Sequence, residues 1–149
     1  MQSYGNCALC DQVDEFIDHL LLECPYSKEC WFKILRPAGY QQLMPNSTEC
    51  LVDWWLSSRK KVVKAARKGF DSLVVLTVWK IWCERNNRVF NRQRILPSTL
   101  VGQIQMEGRD WIRAGFKQLS RFIVDEPSGS GWALTLGANP SVVNLSSPA

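Results

Sequence analysis

Four residues near the N-terminus have the types and the spacing to hold a metal ion. They are Cys7, Cys10, His19 and Cys24, in the pattern Cys-x2-Cys-x8-His-x4-Cys. A Cys-x2-Cys pair lets two thiolates face one ion from a tight turn, and a third thiolate with an imidazole completes a closed tetrahedral set of the structural zinc type. Such a set leaves no coordination position for a reacting water, so the expected role is one structural Zn2+ and not metal catalysis. The plainer alternative is three small buried thiols beside a satisfied core histidine. The use of the only histidine in the chain, within 18 positions of three cysteines, favours the metal. Cys30, Cys50 and Cys83 lie within apolar helical patterns and read as core thiols. Cys30 is the spare ligand if His19 does not bind.

Local elements must present these ligands. "DEFIDHLLLEC" reads as a short helical run with Phe16, Leu20 and Leu21 inward and His19 near its end. Cys24 precedes Pro25, and a residue before proline is pushed out of helical geometry. Asp11, Asp14, Glu15, Asp18 and Glu23 surround the ligands. They are hard oxygen donors that thiolates outcompete for zinc, so they read as solvent-facing residues, with Asp14 and Glu15 also favourable at a helix start.

The rest of the chain reads as helices. Pro25 opens a short one with Cys30, Trp31, Ile34 and Leu35 inward. A loop, 36–49, leads to a helix starting near Cys50, with Ser47 or Thr48 as candidate cap. From Phe70 the residues Leu73, Val74, Thr77, Val78, Ile81, Trp82, Arg85 and Val89 hold helical period for more than five turns, and Val75, Leu76 and Trp79 widen the apolar stripe. Pro97 opens a last helix whose stripe is Leu100, Ile104, Gly108, Trp111 and Gly115. Its two glycines are expected to permit close approach of a neighbour. The tail from Pro127 is rich in Ser, Gly and Pro and is expected to be disordered. The fold class implied is all-α: a small helical bundle with an N-terminal Cys₃His zinc knuckle and a disordered C-terminal tail. Its divisions are a zinc segment at 1–35, a helical basic region at 36–124 and a tail at 125–149.

Charge is unevenly spread over the 149 residues. Positions 1–30 carry a net −5, positions 31–124 a net +11, and the whole chain +4. An acidic head on a basic body points to a polyanion partner, RNA or DNA. The candidate phosphate contacts are Arg59, Lys60, Lys61, Lys64, Arg67, Lys68, Arg85, Arg88, Arg92 and Arg94. The alternative is that these are solvated helix faces. The N-terminus has no secretory signal and no apolar run approaches the roughly 20 residues of a membrane span. The expected setting is intracellular, nuclear or cytoplasmic, where six cysteines argue for metal or free thiols.

The stretch "CALCDQVDEFIDHLLLECPYSKECWFKIL" resembles the zinc-binding domain at the C-terminal end of plant LINE-type (non-LTR) retrotransposon reverse transcriptases. The matching positions are Cys7, Cys10, Glu15, His19, Leu20, Cys24, Pro25 and Trp31. "GFDSLVVLTVWKIWCERNNRVFN" and "IQMEGRDWIRAG" are similar to segments that follow it. The resemblance spans roughly residues 5–120. It implies a parent polyprotein with an endonuclease and a polymerase, and a module that assists nucleic-acid handling. This chain has no Tyr-x-Asp-Asp signature and no carboxylate set for two metals. With Met1 six residues before the first ligand, it reads as a detached terminal piece without catalysis. The competing expectations are a protein-interaction module, with Trp79, Trp82 or Trp111 partly exposed, or a decayed element fragment without selected function. A Cys30–His19 hydrolase is the weakest alternative, because the only histidine is already assigned.

Overall fold

In a computed structural model, residues 5–46 and 49–124 form a helical bundle, with a single isolated bridge between Asn6 and Asp14. The expected cap at Ser47 or Thr48 and the expected disordered tail lie outside the described residues. Four α-helices follow in order: α1 (Pro25–Leu35), α2 (Leu51–Lys61), α3 (Arg67–Phe90) and α4 (Pro97–Arg113). A π-helical turn, His19–Glu23, precedes α1. Short 3-10 turns at Gln41–Leu43, Lys64–Ala66 and Lys117–Arg121 punctuate the chain.

Proline occupies the first helical position of both α1 and α4, where its missing N–H costs nothing. The N-terminus of α2 is capped from a distance: Asp18 Oδ1 accepts the Leu51 N–H at 2.9 Å. This cap reaches from the residue before His19, so the Cys/His segment also fixes where α2 begins.

Aromatic rings run through the core in contact with one another. Trp31 of α1 meets Trp54 of α2 at 4.8 Å between centroids, Trp54 meets Phe70 of α3 at 5.9 Å, and Phe70 meets Phe122 at 5.9 Å. Tyr40 stacks on Phe122 at 4.8 Å. Burying large rings supplies apolar area, and their polar edges still need partners. The indole N–H groups of Trp31 and Trp54 donate to the carbonyls of Leu21 and Leu43 at 2.9 and 2.7 Å. Because Leu21 lies in the π turn, the largest side chain of α1 is tied directly to the ligand-bearing segment.

The stripe predicted for α3 is buried at Phe70, Leu73, Val74, Leu76, Thr77 and Ile81, but Val75 and Trp79 face outward, Trp79 with 55% of its surface exposed. In α4, Gly108 does what the sequence implied: a Cβ there would stand 2.7 Å from Ile123 Cδ1. Gly115 does not. It lies beyond the helix end with φ +123° and nothing near its Cβ direction, so it ends α4 instead of packing it. Cys30 is a core thiol, whereas Cys50 and Cys83 are only half-buried. The ligand segment and the helices share one continuous apolar core, from Cys7 and Leu20 to Phe122, so the boundary drawn at residue 35 divides a single packed unit. Among the described residues no helix is long and apolar enough to cross a membrane.

Candidate metal centre

The chain turns sharply after Cys7. The Asp11 N–H donates to the Cys7 carbonyl at 2.8 Å and the Cys7 N–H to the Val13 carbonyl at 2.7 Å. Asp11 itself takes a left-handed φ of +56°, a conformation that short polar residues tolerate better than most. The result aims Cys7 and Cys10 inward from one loop, and the Leu9 N–H lies 3.4 Å from Cys7 Sγ.

His19 and Cys24 come from the π turn, and the geometry explains why a regular helix would not serve. Five residues along an α-helix rotate a side chain about 140° away from its starting direction. Here the Cys24 N–H donates to the His19 carbonyl at 2.7 Å, an i→i+5 bond that widens the turn. Five residues then close roughly one turn, and Cys24 returns beside His19. Cys24 leaves the helix with ψ 135°, the extended conformation demanded before Pro25. Below the turn, Ser27 Oγ–H donates to the Leu20 carbonyl and holds the π turn onto α1.

The four donor atoms, one from each of Cys7, Cys10, His19 and Cys24, all lie within 4.8 Å of one another. Cys7 Sγ stands 3.9 Å from Cys24 Sγ, and Cys10 Sγ stands 3.4 Å from His19 Nε2. Thiolates at about 2.3 Å and an imidazole nitrogen at about 2.0–2.1 Å from one tetrahedral centre would be separated by about 3.8 Å (S···S) and about 3.6 Å (S···N). Both pairs fall close to these edges. A disulfide between Cys7 and Cys24 would need the sulfurs at about 2.05 Å, and all six cysteines are free. The cluster can therefore hold a metal ion, and its three soft sulfurs and one imidazole fit a thiophilic cation better than a hard one.

The contact between the two sulfurs pushes their acidities apart. The hydrogen bond it shares with Cys24 pulls the Cys7 thiol down to about 5, against the opposing effect of burial and with help from the Leu9 and Cys10 amides. Cys24, the other partner in that bond and buried, is pushed upward. Ligation of a cation by both sulfurs requires each to give up its proton.

Two arginines of α3 grip the ligand loop. Arg88 donates to the carbonyls of Ala8 at 3.3 Å and Leu9 at 3.0 Å, the two residues between Cys7 and Cys10. It also donates to the Ile95 carbonyl at 3.3 Å and pairs with Glu84 at 2.8 Å, while lying over the Tyr26 ring at 4.7 Å. Its side chain is 9% exposed and that of Glu84 2%. Glu84 in turn accepts the Ile95 N–H, and Tyr26 Oη–H donates to the Ile95 carbonyl. Arg85 reaches the loop through Glu15: the ion pair is 2.8 Å, and Glu15 Oε1 accepts the Ala8 N–H at 3.0 Å. Metal sites commonly depend on such outer partners to orient their ligands.

These contacts give four of the expected phosphate-binding residues partners within the fold. Arg85 and Arg88 are committed to the ligand loop, and Glu15 and Asp18 are structural instead of merely solvent-facing. Arg59 pairs with Asp71 at 3.0 Å, and Asp71 also accepts the Trp55 indole N–H. Arg67 donates to the carbonyls of Arg59, Lys60 and Val62 at the end of α2. Those four arginines hold the fold together. Lys60, Lys61, Lys64, Lys68, Arg92 and Arg94 remain exposed. They form two groups separated by the length of α3, about 35 Å at a 1.5 Å rise per residue. Arg94 belongs to the metal end, where it lines an open cleft with Asn6, Leu9, Cys10 and Asp11. Sequence reasoning missed two further cations, Lys117 and Arg121, which the fold brings to the lysine-rich end.

No protein-family model, no curated protein and no solved structure matches the chain.

Proposed function

We propose that this chain is a non-catalytic, zinc-clasped helical module that associates with nucleic acid. The observation that carries the proposal is the convergence of Cys7, Cys10, His19 and Cys24 at tetrahedral edge distances. A single Zn2+ held by all four would be closed to water and structural in role. Its contribution would be to fold the ligand loop, which buries too little apolar area to order itself. The basic helical surface would then meet phosphates, with affinity that falls as salt rises and little sequence preference. The resemblance to the C-terminal zinc-binding domain of plant LINE-type reverse transcriptases supports this reading, and implies a parent polyprotein with a polymerase domain and a nuclear or cytoplasmic setting.

The test is metal analysis of the purified chain with circular dichroism before and after chelation. The expected result is one equivalent of zinc and a loss of helical signal on its removal, reproduced by Cys10→Ser. A metal-free chain with unchanged spectrum would end the zinc reading. Salt-insensitive or absent binding to labelled RNA and DNA would end the nucleic-acid reading.

Outward-facing Trp79 and Val75 on α3 favour a second reading, a protein-interaction module. In that case the stripe would have packed on the polymerase domain of the parent polyprotein. Burial of Trp79 fluorescence by that domain, abolished by Trp79→Ala, is the distinguishing observation.

A further inference from the structure

The end of the bundle opposite the metal ligands has a composition of its own. Residues 57–72 and 114–124 contain eight lysines and arginines and one carboxylate, Asp71. That carboxylate is already paired with Arg59. The two stretches lie about 45 residues apart in sequence, yet the fold presses them together. The Lys117–Arg121 turn packs against the start of α3 and against the Lys64–Ala66 turn. The approach is close enough that a Cβ on Gly69 would stand 2.2 Å from the Gln118 carbonyl oxygen. Lys68 is the chain neighbour of Gly69 and Lys117 the neighbour of Gln118, so the two lysines flank one backbone contact.

The inner cations brace this end. Arg67 ties off the last carbonyls of α2, and Arg59 bridges α2 to α3. The outer cations, Lys60, Lys61, Lys64, Lys68, Lys117 and Arg121, are all exposed. Gathering six solvated cations on a braced surface is electrostatically unfavourable in isolation and favourable beside a polyanion. One apolar feature accompanies them. Phe116, directly before Lys117, is 53% exposed and rests on Trp111 with ring centroids 5.5 Å apart. An exposed ring supported from behind, next to a lysine, is an arrangement on which unpaired bases stack.

We infer that this end, formed by the α2–α3 elbow and the Lys117–Arg121 turn, binds the backbone of single-stranded nucleic acid, with Phe116 as a stacking platform and Lys117 and Arg121 as phosphate contacts. The inference rests on the nucleic-acid reading above and locates it. The metal end is not part of the binding face: two of its arginines are committed to the ligand loop, and Asp11 shares the cleft with Arg94.

The experiment measures fluorescence anisotropy of a labelled single-stranded 20-mer with the zinc-loaded full chain across a salt series. Each lost single-strand phosphate contact lowers the log–log salt slope by about 0.7. Lys117→Ala/Arg121→Ala should therefore lower it by about 1.4 and weaken binding about 25-fold at 0.1 M salt. Phe116→Ala should weaken single-strand binding about tenfold and leave a duplex of the same sequence unaffected. Arg92→Ala/Arg94→Ala should bind like wild type. All these side chains are exposed, and unchanged circular dichroism and zinc content verify that each variant is folded. Wild-type chain that binds no oligonucleotide would overturn the nucleic-acid reading itself. Binding lost in Arg92→Ala/Arg94→Ala but kept in Lys117→Ala/Arg121→Ala would overturn this face alone. Equal loss on single strand and duplex in Phe116→Ala would overturn the stacking assignment, and wild-type binding only to vesicles containing phosphatidylserine would replace nucleic acid with a lipid surface.

Discussion

Replacing Arg88 with alanine should loosen the metal loop and destabilise the fold together. Arg88 is the only cation paired with Glu84 among the described residues, and both side chains are nearly excluded from water. Truncating one partner of such a pair strands the other, at a cost of about 3–5 kcal/mol. The guanidinium also serves three carbonyls, Ala8, Leu9 and Ile95, which lose a charged donor. Against a total stability of about 5–15 kcal/mol for an ordinary domain, that is a large fraction. Urea unfolding in the presence of zinc should show it as a fall in midpoint. A competition titration with a chromophoric chelator should show zinc affinity lowered about 10–100-fold, the usual effect of removing an outer partner. The design includes an internal check. Glu84→Gln removes the stranded charge but keeps an acceptor for the Ile95 N–H, so Glu84→Gln/Arg88→Ala should be more stable than Arg88→Ala alone. An Arg88→Ala chain within about 1 kcal/mol of wild type, or a double variant less stable than the single, would refute the reasoning.

Other outcomes follow from the same coordinates. Burial pushes the Cys30 thiol up to about 12, so the folded state resists its ionisation. Its contribution is intact below about pH 9, where the unfolded thiol is also protonated, and is lost as pH rises from there through about 12. Urea midpoints measured from pH 8 to 11 should fall, and less steeply in Cys30→Ala. Thr77 Oγ1 is buried without a hydrogen-bond partner among the described residues, so Thr77→Val should raise stability by about 1 kcal/mol in the same assay. Gly69→Ala should lower it by about 2 kcal/mol, because the clash with the Gln118 carbonyl outweighs the gain of about 1 kcal/mol in helix propensity. Zinc binding at neutral pH should release protons, because ligating thiols must deprotonate; titration calorimetry in buffers of different ionisation enthalpy counts them.

The parts legible in the sequence are those encoded locally. Ligand types within 18 positions identify the Cys/His cluster, and period 3.6 identifies the buried face of α3 from Phe70 to Ile81. Proline placement gives the starts of α1 and α4. What periodicity cannot encode is what lies opposite a face. Arg88 and Leu9 are 79 residues apart, Arg85 and Glu15 are 70 apart, and Asp18 caps a helix 33 residues away. Read along the chain, those arginines are a basic run; folded, they are clamps. The same limit hid Lys117 and Arg121, which look isolated in sequence and meet the lysine-rich elbow only in the fold. Gly115 was misleading for a different reason. Its spacing continues the α4 stripe by one more turn, but its left-handed φ belongs to the chain's exit from the helix. The π turn is also invisible to pattern, because one turn leaves no periodic signal, though the Cys-Pro step marks where it must end.

The central claim is one zinc held by Cys7, Cys10, His19 and Cys24. Zinc K-edge X-ray absorption on the purified full chain addresses it directly. One zinc per chain is predicted, with three sulfur scatterers at about 2.3 Å and one nitrogen at about 2.0–2.1 Å. A chain that retains no zinc, or a bound zinc with oxygen in place of one of the sulfurs or the imidazole, would contradict it.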